Sequence, residues 1–185
     1  KSFKKMTLDD WDLLIDVHLN GTAYVTHAAW PIMYEQNYGR ILLTSSVSGI
    51  LGNFGQANYG AAKTGMLGLA FVLAQEGAAH NIRVNVLSPG AATRLTNTVP
   101  GRDEDLDNPD PLRSPEMVTP AVFFMCQGNA PTGKVIHAHN GKFIMFAIFN
   151  NEGLDLGLNS SFEALEENRD KLLDMSEAIE GRFGG

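Results

Sequence analysis

Strand-length apolar runs alternating with helical patterns predict an α/β fold built from parallel βαβ units. Apolar runs stand at 41–45, 82–87 and 134–138, and helical stretches at 57–79 and 114–125 separate them. The composition agrees, with 44% hydrophobic and 19% charged residues in a chain of 185, enough for one sizeable core.

The elements follow in order. Thr7-Leu-Asp-Asp10 reads as a capping box that opens a helix, whose apolar positions Trp11, Leu14, Ile15, His18 and Leu19 keep helical spacing. A second helical stretch runs over 21–36, and Pro31 is expected to kink or reset it. The strand at 41–45 leads into a glycine-rich loop reaching Gly55. The helix at 57–79 is rich in small residues (Ala61, Ala62, Gly65, Gly68, Ala70, Ala74), which suits close packing against the sheet or a partner subunit. After the strand at 82–87 comes Pro89-Gly90, then an irregular acidic stretch to Pro111. Ser114-Pro-Glu116 starts a helix with proline at its first position. Residues 134–138 form the third strand. In the tail, 143–149 is apolar enough for a strand or an anchoring segment. Ser160-Ser-Phe-Glu163 opens a docked helix with the stripe Phe162, Leu165, Leu172 and Ile179.

The chemistry concentrates in Asn58-Tyr-Gly-Ala-Ala-Lys63. Tyr59 and Lys63, four apart on a helix, share one face. Ser46 stands thirteen residues before Tyr59, at the end of the first strand, where open α/β sheets bind ligands. A phenol, an ammonium that favours its ionised form and a hydrogen-bonding hydroxyl together make a proton-transfer device.

These residues carry a family resemblance. Gly39-Arg-Ile-Leu-Leu-Thr-Ser-Ser-Val-Ser-Gly49, Gly55-Gln-Ala-Asn-Tyr-Gly-Ala-Ala-Lys63 and Asn85-Val-Leu-Ser-Pro-Gly90 resemble the catalytic half of a short-chain dehydrogenase/reductase. The resemblance implies the C-terminal part of a Rossmann-like, doubly wound parallel sheet with a C-terminal helical extension, divided as a catalytic half over 1–142 and an extension over 143–185. The family's first, nucleotide-binding half has no counterpart in these residues. Gly49-Ile-Leu-Gly52-Asn-Phe-Gly55 has the wrong spacing for a phosphate loop and reads as the loop that delivers Tyr59.

By the same resemblance the chain is an NAD(P)-dependent oxidoreductase, with NAD expected and NADP open. Ser46, Tyr59 and Lys63 are the catalytic residues. Tyr59, Lys63, Pro89, Gly90 and Thr93 hold the cofactor, and Ser46 and Gln56 contact substrate. His18 stands where the family usually has asparagine, a proton-relay position; packing within its helix is the competing role. Arg94 occupies a usual threonine position, so Thr93 takes over the nicotinamide contact. His18, Ala28-Ala-Trp30, Gly52-Asn-Phe-Gly-Gln-Ala-Asn-Tyr59 and Arg94-Leu-Thr96 look most like the (3R)-hydroxyacyl-CoA dehydrogenase domain of type 2 peroxisomal multifunctional enzymes and bacterial relatives. Alternatives are a 3-ketoacyl reductase or hydroxysteroid dehydrogenase of the family, or an inactive fragment acting as an oligomerisation or binding module. Helices 21–36 and 57–79 are the expected homo-oligomer interface.

Composition sets further bounds. A net charge of −7 argues against a nucleic-acid partner, and no apolar run approaches a membrane span. The single Cys126 points to a reducing compartment, cytoplasmic or, in a eukaryote, peroxisomal. His137-Ala-His139 could present two imidazoles on one side of a strand, but no third ligand stands nearby, so no metal is expected. The acidic run 102–107 would repel the phosphates of a CoA ester.

Overall fold

The computed structural model describes residues 1–94, 96–98, 105 and 110–181, so the acidic run 102–107, Asp105 apart, lies outside the described residues. The chain forms two compact units, Lys1–Phe146 and Ala147–Gly185.

In the first unit α1 (Leu8–Leu14) starts at the expected capping box, with the Thr7 hydroxyl accepting from the Asp10 amide and the Asp10 carboxylate from the Thr7 amide. It runs through a π-helical turn, Ile15–Asn20, into α2 (Gly21–Glu35). Pro31 lies inside α2 without ending it; the irregularity falls at 15–20 instead. There the Thr22 hydroxyl donates to the His18 carbonyl at 2.7 Å, satisfying an acceptor in the wider turn.

β1 (Gly39–Thr44), β2 (Ile82–Gly90) and β3 (Val135–His139) are parallel neighbours, as the alternating pattern predicts. β4 (Lys142–Phe146) pairs antiparallel with β3, giving the sheet order β1-β2-β3-β4. The apolar run after 142 is therefore a strand of this sheet.

β2 is buried along both faces, the signature of a central parallel strand. On one face α4 (Ala57–Glu76) presents Met66, Ala70 and Ala74, all buried at four-residue spacing, to Ile41, Leu43, Val84 and Val86. Of the small residues of α4, Ala70 and Ala74 pack on the sheet, Gly65 faces Leu19, and Ala61 and Gly68 are exposed. The other face packs Leu87 and Ala138 against Val118 and Ala121, the latter on α5 (Thr119–Cys126). Fully buried Asn85 donates to the Pro131 carbonyl at 2.7 Å and accepts from the Lys134 amide at 3.1 Å, so the polar group at the middle of β2 is satisfied.

Two segments differ from expectation. The stretch after β1 is not loop throughout, because Val47–Ile50 forms a helical turn, α3, capped by Ser46. In the second unit the tail is not one long helix. α6 (Phe162–Glu167) and α7 (Arg169–Leu173) are broken at Asn168, whose side chain turns back to the Ala164 carbonyl. Ile179 belongs to a short strand that pairs with Phe149–Asn150, and the supposed stripe is open, Phe162 being 72% exposed.

Candidate active site

Segment 44–49, which carries Ser46, is stitched by four contacts to α4, which carries Tyr59 and Lys63. The Lys63 ammonium donates to the Thr44 carbonyl at 2.8 Å. The buried Ser45 hydroxyl donates to the Lys63 carbonyl at 2.7 Å. The Thr64 hydroxyl donates to the Gly49 carbonyl. Gly49 itself sits against α4 so tightly that a Cβ there would lie 2.6 Å from the Lys63 backbone, which explains a glycine at this position.

Ser46 caps α3, its oxygen accepting from the Ser48 amide at 3.2 Å. That bond uses a lone pair and leaves the hydroxyl proton for a ligand oxygen. Tyr59 is half-buried on the first turn of α4. The Lys63 nitrogen lies 5.7 Å from its ring centroid. The His18 ring meets it edge-on, with centroids 5.3 Å apart and planes at 81°. The π-helical turn is what presents His18 to Tyr59, and such turns recur where a side chain must be re-aimed at a site.

Lys63 is only 8% exposed, and burial holds its ammonium below the ordinary lysine value. Burial, and then the Lys63 charge, hold His18 below the ordinary histidine value. The site thus combines a hydroxyl donor, a phenol and a desolvated cation, with an imidazole biased to its neutral form, which suits proton transfer.

Gln56 lies within this assembly. Its side-chain oxygen accepts from the Ser48 hydroxyl at 2.8 Å and from Asn53 at 2.9 Å. Sequence reasoning missed Ser48 and Asn53; polar residues in a glycine-rich stretch were the available signal. Pro89 and Gly90 end β2 on the same edge of the sheet. Thr93 is exposed, and its hydroxyl is 2.9 Å from that of Thr96. Among the described residues no group of three or more His, Cys, Asp or Glu side chains is arranged to hold a metal ion. No described helix is long and apolar enough to cross a membrane.

Residues 1–106 match the family model described as short chain dehydrogenase. The chain belongs to the short-chain dehydrogenase family. It is 40% identical over 180 residues to a short-chain type dehydrogenase/reductase of Mycobacterium tuberculosis, covering 96% of this chain and 60% of that one. It is 38% identical over 151 residues to the acetoacetyl-CoA reductase of Shinella zoogloeoides, covering 77% and 63% respectively. The solved structure of full-length peroxisomal multifunctional enzyme type 2 from Drosophila melanogaster superposes with a TM-score of 0.82 at 34% identity, covering all of this chain and 33% of that one. The chain therefore spans about three fifths of these two curated relatives. The fold matches the sequence expectation.

Proposed function

We propose that this chain carries the proton-handling side of an oxidoreductase that moves a hydride between NAD and a secondary alcohol, a (3R)-hydroxyacyl-CoA being the best-supported substrate. The observation that carries the reading is the buried Lys63 ammonium held on Thr44 beside Tyr59, with the Ser46 hydroxyl on the same stitched segment. The likeness to an acetoacetyl-CoA reductase and to a peroxisomal multifunctional enzyme supports the substrate class.

Tyr59 takes the hydroxyl proton of the alcohol. Ser46 donates to the same oxygen and stabilises the charge that builds there. Lys63 favours the phenolate by its charge, which burial strengthens. His18, neutral at pH 7, passes the proton onward. A nicotinamide held beside Lys63 would supply the acceptor for the hydride of the carbinol carbon. The donor set fits that cofactor: an ammonium has three N–H groups, and Lys63 commits one to Thr44, leaving two for a vicinal ribose diol. Pro89, Gly90 and Thr93 lie on the edge of the sheet that would meet the nicotinamide. Gln56, whose amide oxygen is taken by Ser48 and Asn53, has its amide N–H groups to offer a carbonyl of the substrate.

We place the enzyme in a reducing compartment, the cytoplasm or the peroxisome, as a homo-oligomer assembled through α2 and α4. Tyr59→Phe tests the catalytic assignment. It should abolish turnover and leave nicotinamide dinucleotide affinity nearly unchanged; retained turnover would overturn the assignment. A panel of hydroxyacyl thioesters, steroid alcohols and both nicotinamide cofactors, assayed with the unsubstituted protein, tests the substrate class.

A further inference from the structure

Basic groups gather at the far end of the same sheet edge, away from the hydroxyl-bearing residues. His137 and His139 alternate along β3 onto one face, and their rings stack with centroids 4.5 Å apart and planes at 23°. His137 is fixed in place. Its Nδ1 lies 2.8 Å from the Ser88 carbonyl, which can only accept, so that nitrogen carries the proton. Exposed Lys142 stands directly opposite His139 in the β3–β4 pair.

Gly90 is level with His139, and a Cβ at position 90 would come within 2.8 Å of the His139 Cβ. The absence of a side chain there lets the imidazole lie against the end of β2. Burial, followed by the charges of His137, Lys142 and Arg113, holds His139 below the ordinary histidine value. In a chain of net charge −7, such a cluster is not a sample of the average surface.

Its position relative to the catalytic residues follows from the register. Thr44 pairs with Leu87, and Gly90 with His139, so Ser46 and His139 stand at nearly the same height two strands apart. At the usual strand spacing that is on the order of 10 Å, a distance an extended ligand bridges easily.

We propose that His139 and Lys142 form a phosphate-binding subsite, holding a phosphate of a nucleotide-bearing ligand whose reacting end lies at Ser46 and Tyr59. The link to the reacting end rests on the function proposed above. Two ligands of that reaction carry phosphates, the CoA ester and the dinucleotide, and the test separates them.

Titration of the His139 imidazole by NMR, its signal assigned with His139→Asn, is followed with and without adenosine 3′,5′-bisphosphate or inorganic phosphate. The midpoint should rise with the anion, because a bound negative charge offsets the cations that hold it down, and Lys142→Ala should shrink the rise. In kinetics, Lys142→Ala should raise KM for a CoA ester by roughly threefold or more and leave the matching N-acetylcysteamine thioester, which has no phosphate, unchanged. If the dinucleotide supplies the phosphate, its Kd rises instead and the two thioesters respond alike. No movement of the His139 midpoint with either anion, together with unchanged KM and Kd, overturns the subsite. The imidazole titration needs no turnover. A protein that shifts His139 yet turns over no acyl thioester would refute the proposed substrate and keep the subsite.

Discussion

The Lys63 ammonium reaches 2.8 Å from the Thr44 carbonyl, joining the last residue of β1 to α4 through a buried charge. An ammonium in that position is costly, because it has left water for one carbonyl and the edge of an aromatic ring. Lys63→Met keeps the chain length and much of the volume while removing the charge. Turnover should be lost, and the melting temperature should hold or rise. The pH dependence gives a second check. Burial lowers the Lys63 pKa, so between that lowered value and 10.5 the unfolded chain binds more protons than the folded one. Wild-type stability therefore gains a component as pH rises through that window, and Lys63→Met lacks it. Urea denaturation of both proteins at neutral and alkaline pH measures the difference.

Gly49 tests whether the α3–α4 contact positions Ser46. A methyl group at 49 meets Lys63 backbone and Cβ at 2.6 Å, and backbone cannot swing aside. Gly49→Ala should destabilise the fold by about 1–3 kcal/mol, the range for overpacking a tight contact. It should also lower kcat, since α3 carries its own cap, Ser46, with it when displaced. Denaturant melts and steady-state kinetics on the same preparation read both effects.

His18 separates packing from proton handling. His18→Phe keeps a ring against the Tyr59 face and removes both ring nitrogens. Stability at pH 7 should change little, while kcat should fall by roughly 10- to 100-fold if the imidazole handles a proton. The acid side carries a sign that can be checked. The folded His18 pKa lies below 6.5, so as pH falls from 6.5 toward the folded value the unfolded chain takes up the proton first. Wild type loses this part of its stability over that window, and His18→Phe does not. Melting temperatures at pH 7 and pH 5 decide it.

The proposed catalytic residues can be singled out in the sequence because their roles depend on spacing. Tyr59 and Lys63 stand four apart on α4, and Ser46 follows the end of β1 as the cap of α3. Three parallel strands and the packing face of α4 were legible for the same reason. What was not legible depends on contacts between distant segments. The π-helical turn at 15–20 looks like ordinary helix in sequence, because its purpose, the His18–Tyr59 contact, is made across forty residues. Pro31 suggested a break that the helix absorbs. Gln56 was visible, but its orientation depends on Ser48 and Asn53, which only the folded loop brings to it. The tail misled because its apolar residues keep helical spacing past Asn168, where a side-chain bond to the Ala164 carbonyl accompanies the break.

The proposed homo-oligomer makes the last prediction. α2 leaves Tyr24 70%, Val25 73% and Ile32 64% exposed, and Val25 and Ile32, seven residues apart, lie along one stripe of the helix. Large apolar side chains this open on consecutive turns mark a surface that gains by being covered. α4 adds Val72, 52% exposed, on the side turned away from its sheet-packed alanines. A charge at the centre of this stripe would have to be desolvated on association, at a cost of several kcal/mol per ion if left unpaired. Val25→Glu should therefore lower the molar mass measured by light scattering to that of a smaller species. The isolated subunit should lose little stability, because residue 25 contributes almost nothing to its own core. An unchanged mass for Val25→Glu would exclude α2 as the interface.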